Sequence, residues 1–423
     1  MPGRPDRRPS PQPSPGVPGE GAGRGSLAHV PAGSAQVNAE QDIFSHSAAF
    51  DPAQDLEALL ARVPARWVVY LLADADDRPI QLLCVKNLKA SLRRRLGGAE
   101  PVGPTRKTRY RDVVRHIHWR RVDSALEGDW IYLEAARRIF PQTYRGMLGL
   151  DAAWFVHVDP DAPFPRFVKT KDLADRPGML LGPLPDKHAA ARLVELIEDV
   201  FDLCRYHSIL VQAPRGKACA YKEMGKCPAP CDGSISMEQY HAMVLRGLAV
   251  LQDSQSAVRE HTRRMEAAAA ALRFESAAKI KAFVEQLSEL GQGAYRHVRP
   301  LGDFAFLSLQ RGPWARTAKA FLITPGRIEH VASLIGEPKA AGDLLRCVLE
   351  RAQSQGRSAI DPAGAERIAL VSQHLFGARA AQGALLRLSE LGEQSLRRAW
   401  RDVQKRKAEP EADEEGVVKE LGL

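Results

Sequence analysis

The sequence lacks any apolar stretch of the roughly 18 residues that a helix needs to cross a bilayer. Its start is rich in proline and arginine and has no continuous apolar core of the kind found in signal peptides. We therefore expect no membrane span, and a cytoplasmic location follows. Cysteine is scarce, with 6 among 423 residues, and because the cytoplasm keeps thiols reduced, a disulfide framework is excluded. With 44% hydrophobic and 26% charged residues the chain can bury a sizeable core, and its length predicts two or three compact units.

Positive charge is concentrated between Lys86 and Arg121. This window contains twelve Lys or Arg residues and only two acids, Glu100 and Asp112. Its net charge is therefore +10, whereas the whole chain carries +9. Such a density attracts phosphate and makes nucleic acid the expected partner; the alternative is a solvated basic face without a ligand. The candidates for DNA binding are Lys86, Lys89, Arg93, Arg94, Arg95, Arg106, Lys107 and Arg109.

Hydrophobic periodicity predicts a mixed α/β chain. The run WVVYLLAD and the run IQLLCV, separated by turn residues, read as a β-hairpin, and LKASLRRRL after Asn87 reads as an amphipathic helix. A helix or a strand begins at Tyr110, and a helix is expected from Asp129 to Phe140. We divide the chain into seven regions. The first four are a disordered Pro/Gly/Arg-rich tail (1–45), an α/β domain (62–150), a connecting α/β segment (151–198) and a cysteine module (199–235). A pair of helices (236–292), a strand-rich connector (293–358) and a helical region with a charged tail (359–423) follow.

Four of the six cysteines lie within 28 residues, with the spacing C-x14-C-x7-C-x3-C. They are Cys204, Cys219, Cys227 and Cys231. Four thiolates can hold either a tetrahedral zinc ion or an iron–sulfur cluster. The gaps differ from the paired C-x2-C knuckles of zinc ribbons, which favours the cluster over zinc. The alternative is that the four thiols pack as small hydrophobic groups.

The segment CAYKEMGKCPAPC resembles the cysteine segment of the UvrC excision-repair family in its spacing and its ending. Three further stretches agree with that family in order: MLLGPLPDKHAA, LRFESAAKIKAFVEQL, which resembles the UVR motif, and residues 298–335, which resemble the connector that follows it. The resemblance covers about residues 62–335. It implies a [4Fe–4S] cluster on the four cysteines, DNA as a partner, and a UvrB-like protein bound by the UVR hairpin. The partner-binding candidates are Phe274, Glu275, Ala277, Ala278 and Ile280.

The first hairpin is similar to the GIY-YIG nuclease fold, but its signature is incomplete. Tyr70 matches the first signature tyrosine, whereas Gln81 stands where the second tyrosine belongs and Ser91 where the catalytic arginine belongs. Arg93 and Arg94, with Arg95, begin half a turn later and are the candidates to replace that arginine. The acid that would hold Mg²⁺ or Mn²⁺ is Glu127 when counted back from Pro141, or Asp129 when matched to the pattern DWIYLE.

These features support three hypotheses. The first is a DNA-binding UvrC-like protein that acts with UvrB and has weak or absent nuclease activity. The second is an active single-incision endonuclease with rearranged catalytic residues. The third is a redox or iron sensor that uses the cysteine module. About 65 residues follow Arg357, too few for the RNase H-like domain of the family, so we expect the second incision centre to be absent.

Overall fold

The computed structural model describes residues 43–53, 55–97, 109–337, 341–354, 359–377 and 383–405. Within these residues the chain forms helices and three four-stranded sheets in which neighbouring strands are antiparallel, which confirms the α/β class. None of the described helices combines the length and the apolar composition that a bilayer crossing requires. Residues 1–42 of the expected tail, the DNA-binding candidates Arg106 and Lys107, and the charged tail beyond residue 405 lie outside the described residues.

The first sheet has the strand order β1-β4-β2-β3 and carries helices on both faces. Its elements are β1 His46–Ala49, α1 Leu56–Arg62, β2 Val68–Ala73, β3 Pro79–Val85, α2 Leu88–Leu96, α3 Tyr110–Val113, β4 His116–Arg121, α4 Ala125–Ile139 and α5 Tyr144–Met147. Every residue of β2 is buried because β2 is a central strand that is covered on both faces. Asn87 caps α2 by accepting a hydrogen bond from the Ala90 amide at 3.0 Å.

The structure corrects the expected start of this region. Ile43 and Phe44, placed by the sequence in a disordered tail, are buried in the core beneath α4, and β1 pairs with β4 some seventy residues later. A four-residue strand has too little periodicity of its own to be recognised. The ambiguous segment at Tyr110 contains both elements, α3 and then β4. Helix α4 begins four residues before the predicted Asp129 because Ser124 caps it.

The second sheet has the order β6-β5-β7-β8 and packs against α6 and α9. Its elements and the helices around it are β5 Trp154–Val158, β6 Val168–Thr170, β7 Met179–Leu184, α6 Lys187–Val200, α7 His207–Leu210, α8 Ala220–Glu223, α9 Met237–Gln252, α10 Ser254–Ala270, α11 Phe274–Glu289 and β8 Arg299–Pro300. The pair of helices expected in 236–292 is three helices. Asp253 ends α9 and caps α10, accepting a hydrogen bond from the Ser256 amide at 2.9 Å.

The third sheet has the order β11-β10-β9-β12. Its elements are β9 Phe306–Arg311, β10 Thr317–Thr324, β11 Arg327–Ile335, α12 Ala341–Ser354, α13 Pro362–Phe376, β12 Ala384–Arg387 and α14 Glu393–Lys405. The sequence divided these residues between a strand-rich connector and a helical end, but β12 pairs with β9 and joins the two parts in one sheet. One apolar cluster joins α4, β5, β10 and α13, with Leu133, Phe155, Phe321 and Val371 among its members. The C-terminal sheet therefore packs directly against α4 of the first region.

Candidate functional site

The signature tyrosine of the first hairpin is closed off from solvent. Tyr70 is fully buried, and its hydroxyl lies 2.8 Å from the Ser91 hydroxyl. Burial raises the pKa of Tyr70, although Arg95 and Ser91 act in the opposite direction. The phenol is therefore protonated at neutral pH. In this conformation it is a packed core group whose polar atom is satisfied by a neighbour.

The other signature positions gather around this tyrosine. Arg95 lies one helical turn after Ser91, close enough to Tyr70 to influence its pKa, and donates to the Gln81 side-chain oxygen at 3.0 Å. Its guanidinium also covers the Tyr110 ring at 5.4 Å from the ring centre. Sequence reasoning offered Arg93, Arg94 and Arg95 together as replacements for the missing arginine. The four-residue spacing from Ser91 was the signal that selects Arg95.

Arg93 and Arg94 lie on the exposed side of α2. Arg93 forms an exposed ion pair with Glu57 at 3.0 Å. Arg94 is exposed and influences Tyr70 only as a nearby charge. Among the proposed arginines that the structure describes, Arg95 is the one that contacts the polar group of Tyr70, Gln81 and Ser91.

The first candidate acid, Glu127, is bound by a cation of the chain itself. The Lys319 ammonium on β10 lies 2.7 Å and 2.9 Å from the two Glu127 oxygens and 2.6 Å from an Asp123 oxygen. Burial lowers the pKa of Lys319, but Glu127 and Asp123 outweigh it, and the net pKa is raised. The lysine is therefore charged and lies between the two carboxylates. Sequence reasoning did not single out Asp123 or Lys319, because the pairing joins residues nearly two hundred positions apart.

The second candidate acid, Asp129, is also paired with the C-terminal region. Its carboxylate lies 2.9 Å from His374 Nε2 on α13, and both side chains are more than nine-tenths buried. Further along α4, Glu134 forms a two-point ion pair with Arg367 of α13, at 2.7 Å and 3.1 Å. The acids of α4 thus form an ionic interface with the C-terminal sheet and helix.

Tyr70 and the candidate acids lie on opposite faces of the first sheet. Tyr70 belongs to the apolar cluster with the leucines of α1 and α2, such as Leu60 and Leu92. Helix α4, which carries both acids, packs on the other face against Val69 and Leu71. The structure does not bring the tyrosine and the acids together at one reacting centre.

The described basic candidates divide into an exposed group and a structural group. Lys86, Arg93, Arg94 and Arg109 are exposed, and Lys89 and Arg95 are half-buried. Other cations of the window hold the fold, because Arg111 donates to the carbonyls of Leu96 and Pro52 at 3.0 Å and 2.7 Å. The exposed group extends along and around α2.

The four clustered cysteines lie in the loops between α6 and α9, and none forms a disulfide. Cys204, Cys227 and Cys231 are buried and Cys219 is half-buried. The hydrogen bond from the Cys204 thiol to Cys227 raises the pKa of Cys204 and lowers that of Cys227. In the described part of the chain, no three His, Cys, Asp or Glu side chains are arranged to hold a single metal ion.

The backbone of this module brings its cysteine-bearing loops together. Ala229 adopts a left-handed conformation before Pro230, and the Gly216 amide donates to the Cys231 carbonyl at 2.8 Å, which folds the loops over each other. Arg205 is near enough to Cys227 to lower its pKa. Burial and the charge of Asp232, by contrast, raise the pKa of Cys231.

The helical hairpin α10–α11 is anchored at its base and exposed at its tip. At the base, Phe283 packs edge-on against Phe201 at 6.1 Å between ring centres, and Leu287 is fully buried. The tip turns at Leu272, which adopts a left-handed conformation and is 74% exposed. Phe274 is 65% exposed. Of the other partner-binding candidates, Glu275 and Ala278 are exposed and Ala277 and Ile280 are half-buried.

Comparison with known proteins places this chain beside excision-repair proteins. Residues 153–250 match the family model described as UvrC/Cho excinuclease, middle domain. The match runs from the start of the second sheet almost to the end of α9 and includes all four clustered cysteines. No solved structure matches the chain.

Similar full-length proteins carry the name UvrABC system protein C. That of Syntrophomonas wolfei is 32% identical over 175 residues, covering 41% of this chain and 29% of that protein. That of Moorella thermoacetica is 23% identical over 310 residues, covering 71% and 49%. That of Thermus thermophilus is 30% identical over 183 residues, covering 43% and 31%. The matched segments thus span less than half the length of each of these relatives.

Proposed function

We propose that this chain, a UvrC-like protein, binds DNA in nucleotide excision repair, acts with a UvrB-like protein and has weak or absent nuclease activity. The matched middle domain and the relatives support the repair role. The remaining parts of the proposal rest on the geometry of the first region and of the helical hairpin.

The observation that carries the proposed loss of nuclease activity is the Lys319 ammonium between Asp123 and Glu127. Metal-assisted cleavage of a phosphodiester needs a carboxylate that binds the divalent ion, a base that activates water and a cation that faces the developing charge. Here Glu127 is neutralised by Lys319 and Asp129 is held by His374, while Tyr70 is buried on the other face of the sheet. The three functions therefore lack a common centre in this conformation.

The nuclease part is tested by incubating the full chain with a damaged or nicked duplex in Mg²⁺ or Mn²⁺. We expect little product, and any product should be undiminished by Tyr70→Phe or by the pair Glu127→Gln and Asp129→Asn. Circular dichroism of each variant checks that it remains folded. Robust incision that the Tyr70→Phe variant abolishes would refute the proposal.

The DNA-binding part rests on the exposed cations around α2. Phosphate contacts by Lys and Arg release counterions, so affinity should fall linearly with the logarithm of salt concentration. Replacing Arg94 by Gln should reduce that slope by about one unit. Binding that is independent of salt would count against this surface.

The partner part rests on the exposed tip and face of the α10–α11 hairpin. An apolar side chain as exposed as Phe274 on a well-anchored hairpin is typical of a protein-binding surface. A pull-down of the full chain with UvrB tests this part, and the absence of any complex in the presence and absence of DNA would remove it.

We also propose that Cys204, Cys219, Cys227 and Cys231 hold a [4Fe–4S] cluster, with zinc as the alternative. When bound, such a group crosslinks the loops between α6 and α9 through metal–thiolate bonds. The buried thiols, the cation Arg205 and the tight loop at Ala229 support thiolate ligation. Anaerobic purification followed by an absorption spectrum and by iron, sulfide and zinc analysis distinguishes the cluster, zinc and the metal-free protein.

The second candidate function, an active single-incision endonuclease, is favoured by one observation. Arg95 lies beside Tyr70 and contacts Gln81, so a tyrosine and an arginine share one polar group. If this group is catalytic, incision should be lost in both Tyr70→Phe and Arg95→Gln and retained in Arg93→Gln, whose side chain pairs with Glu57 on the surface. Equal activity of all three variants would exclude it.

A further inference from the structure

Three arginines and a histidine meet at the junction of the second and third sheets, outside every site described above. Arg296 and His297 precede β8, Arg299 begins it, and Arg387 ends β12. The Arg296 Nε donates to His297 Nε2 at 2.9 Å, and Arg387 donates to the His297 carbonyl at 2.9 Å. Arg387 also covers the Phe306 ring at 5.1 Å. We refer to these four residues as the His297 cluster.

No carboxylate balances this cluster at ion-pair distance among the residues that the structure describes. Arg296 and Arg299 otherwise donate only to backbone, to the carbonyls of Leu375 and Val298 at 2.8 Å and 2.6 Å. Asp303 and Glu390 act on Arg387 only as more distant charges, and neither forms an ion pair with it. The carbonyls accept hydrogen bonds but carry no net charge, so three positive charges remain together without neutralisation.

The pKa values of His297 and Arg387 both reflect this excess of positive charge. Burial, together with the charges of Arg387, Arg296 and Arg299, lowers the pKa of His297 to about 4. Burial and then Arg299 lower the pKa of Arg387. Like charges that converge in a half-buried place destabilise one another unless an anion joins them.

We propose that Arg296, Arg299 and Arg387 form a binding site for a phosphate group at His297. A phosphate offers several acceptor oxygens and up to two negative charges, which match planar guanidinium donors that approach from two chain segments. His297 accepts from Arg296 through Nε2, so the neutral ring carries its proton on Nδ1 and can donate one more hydrogen bond. The phosphate can come from a nucleic-acid backbone or from a free phosphate or nucleotide.

The test measures binding of inorganic phosphate to the full chain by isothermal titration calorimetry in a phosphate-free buffer matched for chloride. Arg299→Gln and Arg387→Gln should each weaken binding about tenfold, because each removes a charge-assisted hydrogen bond. The matched control is Arg327→Gln, an exposed arginine on β11 at the opposite edge of the third sheet, which should bind within about twofold of the wild type. Arg299 is the safer variant, since Arg387 also packs on Phe306.

The same variants identify the source of the phosphate. If Arg299→Gln also weakens binding of a short duplex and free phosphate competes with that duplex, the ligand is the nucleic-acid backbone. If duplex binding is unchanged while phosphate binding falls, the ligand is a small phosphate compound. Failure of the wild type to bind phosphate, or equal binding by the wild type, Arg299→Gln and Arg387→Gln, would overturn the proposal. None of these outcomes depends on UvrB or on incision, so the repair role is judged separately.

Discussion

On α4, each buried acid has a partner from the C-terminal region: Glu127 is bound by the Lys319 ammonium, and Asp129 is hydrogen-bonded to His374. In the His297 cluster, by contrast, Arg299 and Arg387 have no acid at ion-pair distance among the described residues. Both places hold charged side chains that are at least half-buried, and both join segments that are distant in sequence. Only in the first does the protein itself supply the opposite charge at ion-pair distance.

This difference separates interface residues from ligand-binding residues. A balanced pair holds two regions together and has no donor or acceptor left for a ligand, and breaking it leaves an uncompensated charge. An unbalanced cluster gains free energy when an ion of the opposite sign binds. We therefore expect substitutions in the first place to lower the stability of the free protein more than substitutions in the second.

The largest effect is expected for Lys319→Met. The methionine keeps an unbranched apolar chain but removes the ammonium, so Asp123 and Glu127 remain close together without a counter-charge. The free energy of unfolding should fall by about 3 kcal/mol at pH 7, as measured by urea denaturation. The exposed lysine Lys171 provides the control, since Lys171→Met should change stability by less than about 0.5 kcal/mol.

A second substitution shows whether the loss arises from charge. Adding Glu127→Gln and Asp123→Asn to Lys319→Met should restore most of the lost stability, because neutral side chains no longer repel each other. If the triple variant is as unstable as the single one, packing rather than charge balance holds the interface. In that case Lys319 would not be the internal counter-ion of these acids.

The pH dependence of stability should report the unbalanced cluster. The pKa of His297 is lowered from 6.5 to about 4 by burial and by its arginine neighbours, so between these values the unfolded chain binds a proton that the folded chain does not. The contribution of the neutral His297 ring to the free energy of unfolding is therefore fully present above pH 6.5, and it is lost as the pH falls towards 4. Because the ring is partly exposed, we expect a loss of roughly 2 kcal/mol across this window.

Denaturation of the wild type and of His297→Gln between pH 4 and 7 checks this expectation. The variant should lose less stability than the wild type on acidification, whereas His188→Gln, at an exposed histidine, should follow the wild type. Parallel curves for all three proteins would show that His297 titrates normally and that its surroundings are not strongly positive.

A smaller effect is expected for Arg299→Gln in phosphate-free buffer. Removing one of several like charges relieves repulsion and loses only a hydrogen bond to the Val298 carbonyl, so stability should stay within about 1 kcal/mol of the wild type. Added phosphate should raise the melting temperature of the wild type more than that of the variant. A large loss of stability of the Arg299→Gln variant in phosphate-free buffer would instead show that Arg299 stabilises the fold, as Lys319 does.

The local elements of the fold could be predicted from the sequence. The first hairpin, helix α2 with its Asn87 cap and helix α6 were legible because their periodicity and capping residues are local. Sequence analysis missed β1 and β12, short strands whose partners lie far away in the chain. It also placed Ile43 and Phe44 in a tail, since two apolar residues beside a proline-rich segment give no signal of burial.

The candidate site was predictable only in part, for the same reason. Tyr70 and Ser91, two positions that the motif singled out, form a hydrogen bond with each other in the fold. What the motif could not indicate is the environment of the acids, because Lys319 and His374 come from β10 and α13. Whether an aligned carboxylate is free or neutralised depends on tertiary contacts, and these are absent from a local pattern.

The smallest effect on stability is expected at the hairpin tip, because Phe274 is exposed there and takes part in no charge pair. Phe274 is 65% exposed at the first residue of α11, so Phe274→Ser should change the free energy of unfolding by no more than about 0.5 kcal/mol. If the tip binds a UvrB-like protein, the same change removes an apolar anchor and should weaken that complex at least tenfold. Chemical denaturation and a surface-binding assay with UvrB measure the two effects on one preparation.

The matched control is Ile335→Ser on β11, because Ile335 is 89% exposed and equally apolar but lies on the C-terminal sheet. It should leave both stability and UvrB binding unchanged. Equal weakening of UvrB binding by the two substitutions would indicate nonspecific hydrophobic adhesion. Unchanged UvrB binding by Phe274→Ser would show that the partner does not bind at the tip. A loss of binding confined to Phe274→Ser would show a surface residue that contributes to recognition and not to folding, the reverse of Lys319.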